Sequence, residues 1–411
     1  MSDRPHGQPS FGRYQLVRRV SFGGTAEIYK AKAVGEHGFE KVVALKRLLP
    51  HVEEDPAFIR MFVNEARLVA QLDHPCIAHI YEVGKVRGSH YIAMEYIYGH
   101  DLAEGQRALV ARGAPVDPAF VAGVGAQVAE ALEYAHGFVD AAGTALRIVH
   151  RDVSPHNVMV DESGSVRLID FGIAKYVGGE GSTAAGVVKG KHGYMSPEQV
   201  RREPLDGLSD VFSLGVVLYE LLTGDRLFRG DSALDTLVRV EEARVVDLRA
   251  VVPGIPEGLA AAIMASLARD PAARPTAGAL AATLAAVTAA LGAPDRQAPV
   301  AQVYGALFDD AGDTEDEVTL DEYQQALRAA ELGIDEALVR RNASDITIIP
   351  DTADLAAYVE GLRRHLREVR AAAGSDQGAE LRAVAAPPMQ AGTPPDVEAP
   401  RKTAASPGAS R

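Results

Sequence analysis

One lysine and a series of carboxylates and amides stand in this chain in an order that suits chemistry on a charged phosphate. Val43-Ala44-Leu45-Lys46 ends a strand-like run with a cation. Glu65 follows in Phe62-Val63-Asn64-Glu65-Ala66, and Met94-Glu95-Tyr96 closes a further apolar run. Then come His150-Arg151-Asp152-Val153-Ser154-Pro155-His156-Asn157, Asp170-Phe171-Gly172, Ser196-Pro197-Glu198, Asp210, and Arg274 within Asp270-Pro271-Ala272-Ala273-Arg274-Pro275. Phosphoryl transfer asks little covalent chemistry of a protein; it needs charge neutralisation and in-line positioning. Such chemistry takes a cation for the phosphate oxygens, an anion to fix that flexible cation, hard oxygen ligands for Mg²⁺ and a carboxylate to accept a hydroxyl proton. Lys, Glu, Asp and Asn side chains are residue types that can supply these. Taken singly, each is commonplace, a surface ion pair or a turn residue. The ordered set is what carries specificity.

These residues need elements to position them. Strand-like patterns run over 14–20, 27–33, 42–48, 77–84 and 90–95, interrupted by an amphipathic helix over 56–72 with Phe58, Phe62, Ala66, Val69 and Ala70 near helical spacing. Helical patterns dominate afterwards, over 118–136, 210–222, 233–240, 258–268 and 277–291. A strand-rich lobe (about 14–95) followed by a helical lobe (about 100–292) predicts a segregated α+β architecture. Residues 1–13 read as a disordered lead. Residues 293–373 read as an acidic linker with a helical extension, helices expected over 321–332 and 352–373. Residues 374–411, rich in Pro, Gly, Ala, Ser and Thr, read as a disordered tail.

Composition narrows the partners. The 411 residues carry a formal charge of −14, which argues against a nucleic-acid binder, because phosphate backbones need a basic face. The single cysteine, Cys76, allows no intramolecular disulfide. Neither a signal-peptide-like leader nor a membrane-spanning run is evident, so the expected location is the cytoplasm. The acidic stretch from Phe308 to Glu322 fits a calcium loop poorly. With Glu322 as terminal ligand, Ala311 takes the first ligand position and Asp316 the place of the turn glycine. A solvated linker is the better reading.

Over roughly residues 14–290 the chain resembles the eukaryotic-like bacterial Ser/Thr protein kinases. Asp170-Phe171-Gly172-Ile173-Ala174-Lys175 and Tyr194-Met195-Ser196-Pro197-Glu198-Gln199 are especially similar to that family. The resemblance implies the two-lobed kinase fold, ATP and Mg²⁺ as cofactors, protein Ser or Thr hydroxyls as acceptors, and regulation by phosphorylation. It implies Lys46, Glu65 and Asp152 as catalytic groups and Asn157 and Asp170 as metal ligands. It implies an adenine slot of Ile28, Ala44 and Met159, with Met94 as gatekeeper, the backbone of Glu95 and Ile97 on the adenine edge, and Asp101 on the ribose. Val69, Ile80, His150 and Phe171 would form a packing column tethered by Asp210, and Glu198 with Arg274 a buried structural ion pair.

Several positions depart from the family pattern. The phosphate-covering loop, normally Gly-x-Gly-x-x-Gly-x-Val, reads Ser21-Phe22-Gly23-Gly24-Thr25-Ala26-Glu27-Ile28. Ser21 and Ala26 stand where glycine would allow the closest backbone approach, while Gly23 and Gly24 remain. Two residues after Asp152 the family carries a lysine and this chain Ser154; five before Ser196 it carries threonine and this chain Lys191. A reciprocal exchange would bring the missing cation from the activation segment to Asp152, with Ser154 supplying the hydroxyl. Arg151 would read a phosphate on Thr183, or secondarily Ser182. His156 replaces an acidic residue used by arginine-directed kinases. The alternative to an active kinase is a pseudokinase scaffold; a small-molecule kinase is disfavoured by the long activation segment. Protein substrates are expected, with a dimer or docking partner through the C-terminal helices.

Overall fold

Period-two alternation turns the first part of the chain into a sheet with two different faces. The computed structural model describes residues 10–35, 39–113, 115–172 and 191–308. All of these fall in one unit, Met1–Leu327; a second unit, Arg328–Arg411, lies outside the described residues, as do Ser182, Thr183 and the expected C-terminal helices. The first lobe contains β1 (Ser10–Phe11), β2 (Tyr14–Phe22), β3 (Ala26–Val34), β4 (Glu40–Leu48), α1 (Pro56–Val69), β5 (Ile80–Val86) and β6 (Ser89–Glu95). The strands form one six-stranded sheet in the order β1-β2-β3-β4-β6-β5, with antiparallel pairing throughout. On one face Tyr14, Tyr29, Val43, Leu45, Tyr91 and Ala93 make a core; on the other Ile92 and Met94 pack with Phe62 and Ala66 of α1.

Residues directly opposite in an antiparallel pair share a face. Lys46 lies opposite both Ile28 and Ile92, and Ala44 opposite Met94. The register therefore puts the lysine on the α1 side of the sheet, beside the apolar residues expected to line an adenine slot. α1 starts where Asp55 accepts from the amides of Ala57 (2.8 Å) and Phe58 (3.3 Å), with Pro56 preset at the first turn. It buries Phe62, Ala66 and Val69, one stripe at i, i+4 and i+7.

The second lobe follows as β7 (Gly99–Asp101), α2 (Leu102–Arg112), α3 (Pro118–His136), β8 (Val158–Asp161), β9 (Val166–Leu168), α4 (Pro197–Val200), α5 (Gly207–Thr223), α6 (Ala233–Glu242), α7 (Leu248–Val251), α8 (Glu257–Ser266), α9 (Ala277–Ala290) and α10 (Ala298–Phe308). α3 and α5 are apolar almost all round and are accordingly buried. Phe120 and Phe212 are fully buried in their core, each worth about 1.5–3 kcal/mol on transfer grounds. β7, β8 and β9 form a small antiparallel sheet beneath the first lobe. Among the described residues no helix is long and apolar enough to cross a membrane.

Two boundaries differ from the sequence reading. Within the expected disordered lead, Ser10 and Phe11 pair with Gln15 and Tyr14, because the Phe11 ring is buried edge-on against Tyr91 at 5.5 Å. The segment after residue 292 does not begin as a linker. α10 packs on α3, α2 and β8, burying Val300, Tyr304 and Leu307.

Candidate active site

Three loops of the second lobe meet under the sheet. Asp210, buried in the first turn of α5, accepts from the amide of His150 at 2.8 Å through Oδ2 and from that of Arg151 at 2.7 Å through Oδ1. The His136 ring also meets Oδ2 at 2.8 Å. Two donors are thus fixed in succession, and Arg151 is held at φ +66°, a left-handed conformation that persists only where the surroundings over-determine it. His150 then bridges inward: its Nε2 lies 3.0 Å from the Ile169 carbonyl, and its Nδ1 accepts from the Asp152 amide at 3.3 Å. Only the neutral, Nε2-protonated ring satisfies both contacts, in keeping with burial, which pushes the pKa of His150 down. The ring packs on Phe171 at 4.4 Å.

The charged and amide side chains of the cluster hang from this frame. Asn157 Nδ2 donates to the Asp152 carbonyl at 2.7 Å and to its carboxylate Oδ2 at 2.8 Å. Lys191 Nζ donates to the same Oδ2 at 3.2 Å. Gly172 closes the cluster from the other side: its amide donates to the His150 carbonyl at 2.7 Å, and a Cβ there would press on the Asp152 Cβ at 2.9 Å. Asp170, at φ +54°, receives Lys46 Nζ at 2.7 Å. Glu65 on α1 lines the same pocket, with Val69, Ile80 and Phe171. Burial works against the charge of Lys46, and Asp170 followed by Glu65 more than offsets it, leaving its pKa raised. Burial likewise pushes Asp170 up, and Lys46 reverses it to below the ordinary carboxyl value.

Nucleotide-contact candidates surround this centre. Met159 lies opposite Asp101 in the β7–β8 ladder, and Met94 is buried opposite Ala44. The Glu95 amide is already donated to the His79 carbonyl at 2.8 Å, so it is not the group that would meet a base edge. On the strands flanking the β2–β3 turn neither Ser21 nor Ala26 has positive φ, so neither position demands glycine for its conformation. The turn is tied back by the Leu49 amide on the Thr25 carbonyl (3.0 Å) and by His51 Nε2 near the Gly24 carbonyl (3.0 Å).

The expectation for Ser154 is corrected in one respect. Its hydroxyl is buried and has no hydrogen-bond partner among the described residues, so it meets neither Asp152 nor Lys191. A one-carbon stem cannot carry the group out of the loop as a lysine stem would. Sequence reading overlooked His136, which supports Asp210, and Gln199, whose Nε2 donates to the Arg151 carbonyl at 2.9 Å. Neither carries a local signal, since each meets its partner only through folding.

The metal question turns on the donor set. Both contacts of the Asn157 amide nitrogen go to Asp152, and among the described residues its side-chain carbonyl oxygen and Asp170 Oδ2 have no hydrogen-bond partner. One carboxylate oxygen and one amide oxygen suit Mg²⁺, which keeps waters and phosphate oxygens as its other ligands. Among the described residues no group of three or more His, Cys, Asp or Glu side chains could hold a metal alone.

A fold of this kind with this charge cluster defines a phosphotransferase frame, and comparison with known proteins agrees. Residues 14–284 match the protein kinase domain family, and the chain belongs to that family. It is 42% identical over 254 residues to the tyrosine-protein kinase MasK of Myxococcus xanthus, covering 62% of this chain and 39% of that protein. It is 34% identical over 258 residues to the serine/threonine-protein kinase PrkC of Bacillus subtilis, covering 63% and 38%. The chain thus spans about two fifths of the length of these relatives. The crystal structure of the Mycobacterium tuberculosis PknI kinase domain superposes with a TM-score of 0.51 at 26% identity, covering 70% of this chain and all of that one.

Proposed function

We propose that this chain is a protein kinase that transfers the γ-phosphoryl group of ATP to Ser or Thr hydroxyls of proteins. The observation that carries the reading is the meeting of Lys46 with Asp170 and of Asn157 and Lys191 with Asp152, in one cleft. Lys46, held by Asp170 and Glu65, grips the α- and β-phosphates. Asp152 orients the acceptor hydroxyl and takes its proton as the new O–P bond forms and the bond to the leaving ADP oxygen breaks. Asn157 and Asp170 hold Mg²⁺, which neutralises charge on the phosphate oxygens. Ile28, Ala44, Met94 and Met159 enclose adenine, the backbone of Glu95 and Ile97 pairs with its edge, and Asp101 holds the ribose. Ser21, Gly23, Gly24 and Ala26 cover the phosphates.

Lys191 fills the electrostatic role of the absent catalytic-loop lysine. As a point charge on a flexible stem it needs only its tip beside the carboxylate. It rides on the activation segment, so catalysis is coupled to that segment's order. Phosphorylation of Thr183, or secondarily Ser182, recognised by Arg151, raises activity. A scaffold without phosphotransfer is disfavoured by the complete set of charge-handling side chains.

Two observations favour a second reading, tyrosine as acceptor: the relative MasK is named a tyrosine kinase, and position 154 carries no cation. Labelled ATP, Mg²⁺ and a generic protein substrate test both. Phosphoserine and phosphothreonine in the hydrolysed product support the first reading. Phosphotyrosine alone replaces it with the second, and no incorporation removes both.

A further inference from the structure

The family match ends at residue 284, yet the folded chain continues into α10, and two helices are shaped to receive it. Gly105 in α2 and Gly123 in α3 are interior helix glycines, each costing about 1 kcal/mol against alanine. A Cβ at Gly105 would overlap the Tyr304 hydroxyl, and one at Gly123 would overlap the Arg296 carbonyl. Asp295 caps the incoming turn, accepting from the amides of Gln297 and Ala298, both at 2.8 Å.

Besides α3 and β8, α10 touches α2 and the residues His100 and Asp101 that lead into it. The Tyr304 ring is buried, and its hydroxyl donates to the Asp101 carbonyl at 3.3 Å. The Phe308 ring lies flat on His100, with centroids 3.7 Å apart and planes within 11°. At the far end of α2, Arg112 donates to the carbonyls of Ala306 and Leu307, the last turn of α10. Asp101 itself is doubly engaged: Oδ1 caps α2 at the Glu104 amide (2.7 Å), and Oδ2 faces His156 Nδ1 of the catalytic loop (3.3 Å). The residue before Asp101, its own carbonyl and the helix after it are all gripped by a segment outside the family match.

We propose that Tyr304 and Phe308 are positioning residues for the nucleotide ribose, acting through Asp101. The inference rests on the reading of Asp101 as the ribose contact. α10 is then part of the nucleotide site and not a spacer to the tail.

The test compares kcat/KM for ATP with that for 2′-deoxy-ATP and 3′-deoxy-ATP in the full chain. Asp101→Ala should bring the ratio close to one. Tyr304→Phe, which keeps the buried ring and removes only the hydroxyl, and Phe308→Ala should each lower the ratio about threefold to tenfold, the weight of one neutral hydrogen bond, through KM with kcat kept. Phe308→Tyr, which preserves the flat stack, should restore it. A purely structural role would reduce turnover of all three nucleotides alike, and that outcome overturns the proposal. Full discrimination in Tyr304→Phe alongside its loss in Asp101→Ala overturns the proposal alone. Full discrimination in Asp101→Ala overturns the ribose reading and the proposal with it. If Phe308→Ala lowers the unfolding temperature, Tyr304→Phe decides.

Discussion

Lys191 Nζ and Asp152 Oδ2 stand 3.2 Å apart, joined across 39 residues of chain. Asn157 donates to the same carboxylate oxygen at 2.8 Å, so one oxygen of the proposed proton acceptor is shared by a cation and an amide. Replacing Lys191 by Ala should lower kcat by roughly 10²-fold, the weight of one preorganised donor lost from a reacting centre. Ser154→Lys/Lys191→Thr should regain part of it, by carrying the ammonium on the longer stem from the loop. Wild-type turnover in Lys191→Ala, measured as labelled phosphate incorporated, would make the contact incidental.

Asp152→Asn should cost about 10²–10⁴ in turnover while leaving the unfolding temperature close to wild type. Lys46→Met should do the same chiefly through nucleotide binding, because its ammonium partners Asp170 at the cleft and not in the core. Chelating Mg²⁺ with EDTA should abolish transfer in the wild type. Undiminished incorporation after exhaustive chelation would count against Asn157 and Asp170 as ligands.

Asp210 is 1% exposed and accepts from two successive backbone amides and one histidine ring. In Asp210→Ala the amides of His150 and Arg151 lose a buried acceptor, at about 1–3 kcal/mol each. Stability and kcat should fall together, and Asp210→Asn, able to satisfy one amide, should fall between. A variant stable as wild type in chemical denaturation would show that the tether carries no weight.

Glu198 and Arg274 form a buried bidentate pair, with Nη1–Oε1 at 2.6 Å and Nη2–Oε2 at 3.0 Å. Ser209 adds a donor to Oε1 at 2.7 Å. Arg274→Met strands a buried carboxylate and should destabilise by about 3–5 kcal/mol. Burial pushes the Glu198 carboxyl up, but Arg274 and Ser209 bring it below its ordinary value of 4.5. A carboxyl with a lowered folded pKa contributes stability that is full above the unfolded value and drains as pH falls through the folded one. Denaturant midpoints should therefore drop below about pH 4.5 in the wild type, and less steeply in Glu198→Gln. Parallel acid profiles for the two would contradict the assignment.

Local order along the chain carried much of this protein. The α3 limits, Pro118–His136, could be read from a proline after Asp117 and a largely apolar run, because a helix with its own caps is a local object. The strand bearing Lys46 was legible from alternation, and the ordered charges announced a phosphotransfer centre before any contact was known. Short elements were not legible: β7 and β9, three residues each, offer no period to detect. α2 contains Gly105, which reads as a helix breaker until Tyr304, 199 positions further on, is seen to need the space. Tertiary structure alone decided that Lys46 hydrogen-bonds Asp170, 124 residues away, that the Ser154 hydroxyl is enclosed without a partner among the described residues, and that α10 returns to Asp101. Periodicity constrains which face of an element is buried. Which two faces then meet is fixed by packing across the whole domain, and no window of sequence contains that information.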